Sequence, residues 1–311
     1  MNSQDKFDNT IKQTDPELTV DKYTEGLNRS TIYFNNMKQA NSYKFDKFDP
    51  IKELNDKRNF SMIISSKRRT GKSVFVKDIC HQIKGWYNSA YLFSMTSDLQ
   101  PDLYDFIPES NVYNSFNEDK LEEIWSIQEK LITALRAAKA PDSDMPHILI
   151  ILDDVISDTR VKKSEILNRL FVAGRHLKFA VIAISQTFTG FGPTLRVNCD
   201  VSVAFYLDSQ DNREAFAKQY LSTKNKNLGI MIFERITKEP YQCIVCLNCK
   251  TSSNPEDTIK TYTAKLKVPK FKISAQGLKN ITYLADIFRN EANNDKVHIT
   301  VSKNKETIKL K

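Results

Sequence analysis

The sequence predicts an α/β fold, a mostly parallel sheet with helices on both faces, from three observations. Short apolar runs ending in polar residues recur along the chain, at Met62–Ser65, His147–Asp154 and Ala180–Gln186. Between them lie stretches whose apolar residues repeat at helical spacing, and strands alternating with helices build parallel sheets. A 311-residue chain is long enough for one core of about 200 residues plus extensions.

The elements follow in order. Residues 1–57 read as a polar N-terminal arm rich in Asn, Asp, Ser and Thr, loosely structured, with a short helix near Leu27–Met37. The core spans residues 58–250. Met62–Ser65 is its first strand and Lys72–Tyr87 its first helix, where Val74, Phe75, Val76, Ile79 and Ile83 keep helical spacing. Ala90–Met95 is the second strand. Leu121, Ile124, Gln128, Leu131, Ile132 and Leu135 then fall mainly on one helical stripe, with Glu and Lys opposite. That helix, Leu121–Ala138, leads through the turn Asp142–Pro146 into the acidic strand. Ser164 caps a helix through Gly174, and Phe179–Ile184 is the next strand. Val201–Leu207 is a strand and Asn212–Leu221 a helix. Ile230–Phe233 and Gln242–Leu247 are expected to complete the sheet. Residues 251–311 form a basic C-terminal extension.

The chemistry sits where strands end. Residues 66–73, Ser-Lys-Arg-Arg-Thr-Gly-Lys-Ser, join the first strand to the first helix. A loop there aims successive N–H groups and the positive end of the helix dipole at an anion. The cradle is Ser66, Lys67, Arg68, Arg69, Thr70, Gly71, Lys72 and Ser73. Gly71 permits close backbone approach, Lys72 reaches the β- and γ-phosphates, and the Ser73 hydroxyl ligates Mg2+. Lys67, Arg68 and Arg69 are expected to act through backbone amides more than side chains. Asp153 holds the same ion through water, and Asp154 or Gln186 orients the attacking water. Three such signals in this order describe a nucleoside triphosphatase with ATP and Mg2+ as cofactors. Ser66 stands where the usual pattern has glycine, so strain is expected at the start of the loop.

Composition narrows the classes. Charged residues make up 27% of the chain and no long apolar run exists, which excludes a membrane-spanning helix. The first twenty residues do not resemble a signal peptide, so an intracellular protein is expected. Cys243, Cys246 and Cys249 have C-x2-C-x2-C spacing, compatible with zinc or an iron–sulfur cluster. On a strand, however, Cys243 and Cys246 point to opposite faces, and unpaired thiols are the stronger reading. Net charge is +8, and residues 250–311 carry 13 Lys/Arg against 6 Asp/Glu. Lys265, Lys267, Lys270 and Lys272, then Lys303, Lys305, Lys309 and Lys311, alternate with apolar or small residues. That pattern suits a nucleic-acid backbone, or simply a solvated tail.

The acidic strand Leu149–Asp154, the segment Leu170–His176 containing Gly-Arg-His, and the strand Val181–Gln186 resemble, in that order, the genome-packaging ATPases of large double-stranded DNA viruses and virophages, within the FtsK–HerA superfamily. The resemblance covers roughly residues 58–250 and implies a P-loop NTPase fold with an extra strand between the two nucleotide-binding strands. It makes Gln186 the γ-phosphate sensor. It also implies a homo-oligomeric ring, pentamer or hexamer, that threads double-stranded DNA, with capsid or portal proteins as further partners, in the host cytoplasm or virion. One subunit's arginine then completes its neighbour's site, with Arg175 the first candidate and Arg196 the second. Asp154 stands where many such motors carry glutamate, and its shorter side chain shifts part of the water positioning to Gln186. A cellular HerA-like translocase or helicase, a P-loop small-molecule kinase and a nucleotide switch remain alternatives.

Overall fold

The computed structural model describes residues 31–97, 101–156, 161–221, 225–252, 254–273, 299–301 and 308–310. Its centre is an eight-stranded sheet in the order β3-β2-β4-β5-β1-β6-β7-β8. The strands are β1 (Ser61–Ser65), β2 (Ser89–Ser94), β3 (Val112–Tyr113), β4 (Ile148–Asp153), β5 (Phe179–Ser185), β6 (Val201–Ala204), β7 (Gln242–Leu247) and β8 (Ile259–Thr263). The first six pair in parallel, while β7 runs antiparallel to both β6 and β8. As expected, β5 lies between β1 and β4. β9 (Ile299–Val301) and β10 (Ile308–Leu310) form a separate antiparallel pair.

Every residue of β1, β4 and β5 is buried. Continuous apolar runs of this kind suit strands covered on both faces. Alternate residues divide between two apolar clusters. Ile63, Ile150, Leu152, Val181 and Ala183 face one side, against Trp125, Leu131, Ile132, Leu170 and Phe233. Met62, Ile64, Leu149, Ile151 and Ile182 face the other, against Phe75, Val76, Ile79 and Ile83. Cys246 belongs to the first cluster and Cys243 to the second, so these thiols lie on opposite faces of β7.

A helix over residues 31–42 (α1) and α2 (Pro50–Leu54) precede β1, and α3 (Lys72–Ile83) follows the loop. α3 ends at Ile83 and continues to Trp86 as a 3-10 turn, short of the expected Tyr87. α4 (Glu118–Ala137) starts at Asn117, whose side chain accepts from the Lys120 amide. Its buried stripe includes Gln128, which donates to the carbonyls of Pro146 and Leu177, 2.8 Å each, and thus joins the turns before β4 and β5. α5 (Glu165–Ala173) is capped by Ser164, as expected. α6 (Pro193–Asn198) precedes β6, and α7 (Gln210–Tyr220) and α8 (Lys226–Ile236) lie between β6 and β7.

Two expectations are corrected. Ile230–Phe233 is not a strand but the middle of α8, where Leu228, Ile232, Phe233 and Ile236 are buried at helical spacing after the Asn225 cap. A four-residue apolar run does not by itself distinguish the two conformations. The second half of the N-terminal arm is not loose. The Phe48 amide donates to the Thr261 carbonyl (2.8 Å) and the Thr261 amide to the Asp46 carbonyl (2.9 Å), so residues 46–48 line β8. Phe48 and Leu54 are buried. Pairing thus joins residues on either side of the expected core, from before residue 57 to β8 beyond residue 250. The short helix near Leu27–Met37 is present from residue 31, and residues 27–30 lie outside the described residues.

Candidate active site

Register brings the polar strand ends together. Ser65 of β1 lies opposite Ser185 of β5, and Asp153 of β4 opposite Ile184. The Ser66 amide donates to the Ser185 carbonyl (3.1 Å), extending that pairing one residue into the loop. Ser66 needs no left-handed backbone there, and the expected strain at its position is absent. It sits instead at Arg69 (φ 63°). Gly71 has φ 112°, and a Cβ on it would come within 2.7 Å of Tyr241 Cδ1. Only glycine meets both demands at this turn into α3.

Lys72 Nζ lies 2.5 Å from Asp154 Oδ2 and 3.9 Å from Asp153 Oδ1. Gln186 Nε2 donates to Asp154 Oδ2 at 3.2 Å, and Arg68 Nε donates to Gln186 Oε1 at 3.1 Å. Lysine, both carboxylates and the Gln186 amide therefore form one connected group. The Arg68 side chain takes part, beyond the backbone role expected of it, while Lys67 turns away to pair with Asp208 at 2.8 Å. Thr70 closes the loop on itself by donating to the Lys67 carbonyl (2.8 Å). Asp154 has φ 57°, a left-handed backbone that aspartate tolerates better than most residues. Its amide remains bonded to the Ile184 carbonyl (3.2 Å), so the turn is anchored to β5.

Asp153 is 3% exposed, and burial pushes its carboxyl above the ordinary range; Lys72 opposes that shift and Asp154 adds to it. Tyr104 donates to Asp153 Oδ2 at 2.8 Å. Burial, followed by the Asp153 charge, holds the Tyr104 phenol well above the ordinary tyrosine range, so it remains a donor. The Oδ1 atoms of Asp153 and Asp154 are buried without a hydrogen bond. Two carboxylates against one lysine, two orphaned oxygens and the Ser73 hydroxyl make a hard-oxygen donor set that fits Mg2+.

The two finger candidates lie elsewhere. Arg175 is exposed in the 3-10 turn Gly174–Leu177, just before the amino end of β5. Seven residues of strand put about 20 Å between it and the carboxyl edge. Arg196 lies on α6 with its guanidinium 5.3 Å from the Phe188 ring centroid. Tyr104 was invisible in the sequence. It belongs to no motif, and Tyr-Asp-Phe-Ile signals burial without naming a partner.

The sequence pattern of the poxvirus A32 protein matches residues 46–265, from the strand-like arm to the end of β8. The chain belongs to the poxvirus A32 protein family. That family comprises viral genome-packaging ATPases, and the protein is a nucleotide-binding ATPase of this type. An uncharacterised protein of Acanthamoeba polyphaga mimivirus, L437, is 23% identical over 282 residues, covering 87% of this chain and 96% of its own length. One of frog virus 3, 015R, is 21% identical over 203 residues, covering 65% of this chain and 61% of its own. Among solved structures, the genome-packaging NTPase B204 of Sulfolobus turreted icosahedral virus 2 in complex with AMP has a TM-score of 0.47 at 15% identity, covering 67% of this chain and 99% of that one. The pCW3 conjugation coupling protein TcpA with ATPγS has a TM-score of 0.48 at 11% identity, covering 79% and 75%. No helix among the described residues is long and apolar enough to cross a membrane.

Proposed function

We propose that the protein is an ATP-driven translocase that packages double-stranded viral DNA into a capsid. The observation that carries this reading is the convergence of Lys72, Asp153, Asp154 and Gln186 from three adjacent strand ends at one sheet edge, in a chain of the A32 family. The loop amides of residues 66–73 and the α3 dipole bind the phosphates, and Lys72 moves part of its charge from Asp154 to the β- and γ-oxygens. Ser73 and Asp153 would hold Mg2+, which would supply positive charge to offset that of the phosphoryl group being transferred. Asp154 accepts the proton of the attacking water. Gln186, bonded to Asp154 on one side and to Arg68 on the other, orients that water and senses whether the γ-phosphate is present.

The DNA partner is supported by Lys265, Lys267, Lys270 and Lys272, all exposed along the segment that leaves β8. Lys303, Lys305 and Lys311 of the second basic group lie outside the described residues, and of Lys309 only the backbone, in β10, is described. Arg175 lies at the opposite end of the strands from its own chain's site, so a role for it at phosphates would be on another subunit's, in a homo-oligomeric ring. Capsid or portal contacts and a place in the viral factory or virion belong to the same reading. ATP hydrolysis is to be measured with and without long duplex DNA, in wild type and Lys72→Ala. Strong DNA stimulation that Lys72→Ala abolishes is expected. Turnover indifferent to DNA would remove the translocase and leave a kinase or a switch.

A further inference from the structure

Asp153 reaches its place at the end of β4 with two unlike oxygens. Oδ2 accepts the Tyr104 hydroxyl at 2.8 Å, whereas Oδ1 is buried without a hydrogen bond and lies 3.9 Å from Lys72 Nζ. A carboxylate torsion is broad and two-fold, so the backbone alone does not fix how the carboxylate plane is turned towards the cleft. Tyr104 decides it here.

Tyr104 is itself held from two directions. Lys77 on α3 donates to the Asp102 carbonyl (2.6 Å) and to Asp105 Oδ1 (2.8 Å), on either side of it. From more than 160 residues away in sequence, Phe271 stacks on Phe106 with centroids 4.7 Å apart and planes 14° from parallel. The Ile273 amide donates to the Phe106 carbonyl (3.0 Å), Lys272 donates to the Asp105 carbonyl, and Ile273 is fully buried. Phe271 also meets His81 of α3 edge-on at 5.2 Å. The segment after β8 therefore straps down the turn that carries Tyr104.

We propose that Tyr104 is a positioning residue of the nucleotide site: its hydroxyl takes one Asp153 oxygen and leaves the other for the cation, and the Phe271–Ile273 strap keeps it there. The proposal rests on Asp153 as a cation ligand. Without the phenol, the carboxylate is free to rotate towards Lys72, which pairs it with an ammonium in place of the cation. Partners of metal ligands typically contribute 10- to 100-fold to metal affinity.

The test uses the full chain and a fluorescent, non-hydrolysable ATP analogue titrated with excess Mg2+ and again with EDTA. The readout is the gain in nucleotide affinity that Mg2+ confers. Tyr104→Phe keeps the ring against Phe106 and is expected to lose about tenfold of that gain, with metal-free affinity unchanged. Phe271→Leu, which keeps an apolar side chain but removes the stacked ring, is expected to lose gain in the same direction. Asp153→Asn should abolish it. Full gain in Tyr104→Phe beside loss in Asp153→Asn overturns the positioning role alone. Full gain in Asp153→Asn overturns the reading of the site and the proposal with it. Full gain in Phe271→Leu, with Tyr104→Phe impaired, overturns the strap.

Discussion

Asp154 combines an unusual backbone with two polar contacts, and each feature constrains what can replace it. Its φ of 57° is tolerated by Asp and Asn, and costs about 1–2 kcal/mol for most other side chains. Its Oδ2 accepts from both Lys72 and Gln186. Asp154→Asn keeps the backbone conformation and an acceptor oxygen but removes the charge proposed to take the proton. The variant is expected to bind ATP and to lose about 10²- to 10⁴-fold in hydrolysis, the usual worth of a general base. Equilibrium nucleotide binding set beside single-turnover hydrolysis checks it; an active variant would pass the base role to another residue. Gly71 shows the opposite constraint, since its positive φ and the Tyr241 ring both exclude a Cβ. The loop's first position escapes it, because Ser66 has no positive φ and its amide bonds to the Ser185 carbonyl.

At the scale of elements, β4 is preceded by a half-buried imidazole, His147, and ends with a buried carboxylate. The His147 amide donates to Asn88 Oδ1 and its carbonyl accepts the Asn88 amide, both at 2.9 Å, which ties β4 to the start of β2. Burial, with help from Lys178 and Arg58, lowers the His147 pKa from 6.5 to about 4. The unfolded chain takes a proton that the folded chain refuses. Stability from this group is therefore complete above pH about 6.5 and is lost as pH falls through about 4. His147→Gln should narrow the drop in melting temperature between pH 7 and pH 4.5; an equal drop in both proteins would assign the acid sensitivity elsewhere. The strands β1, β4 and β5 were legible in the sequence because each is a buried apolar run with a polar end, and so was the convergence of the polar residues at those ends. α8 was not, because four apolar residues fit either period. The pairing of residues 46–48 with β8 and the Tyr104–Asp153 bond were not, because both join segments distant in sequence that carry no periodic or motif signal.

For the whole molecule, the sheet's edge at β8 decides how the basic C-terminal segment can be tested. Removing residues 251–311 would strip β8 from β7, along with Tyr262, which donates to the buried Asp78 carboxylate at 2.7 Å, and the Lys265 amide, which donates to it at 2.9 Å. Weak DNA binding by that truncation would report unfolding. A cut after Ile273 retains β8, the strap and the four exposed lysines. DNA binding by this truncation should weaken and show a shallower dependence on salt, because fewer backbone phosphates are neutralised. Its DNA-independent ATPase rate should stay unchanged; unchanged DNA affinity would restrict the contact to Lys265–Lys272. The ring requires a different experiment. Arg175 and the phosphate loop lie at opposite ends of the strands, so a single chain cannot unite them. If neighbours do, each Arg175→Ala subunit disables the site of the chain beside it while its own site stays intact. In mixtures with Lys72→Ala, itself inactive, an Arg175→Ala chain beside a Lys72→Ala chain keeps an intact loop and regains a neighbour's arginine, so turnover lost in either variant alone should reappear. Wild-type turnover by Arg175→Ala alone would make Arg175 a surface cation, and no recovery on mixing would deny its action across a subunit boundary.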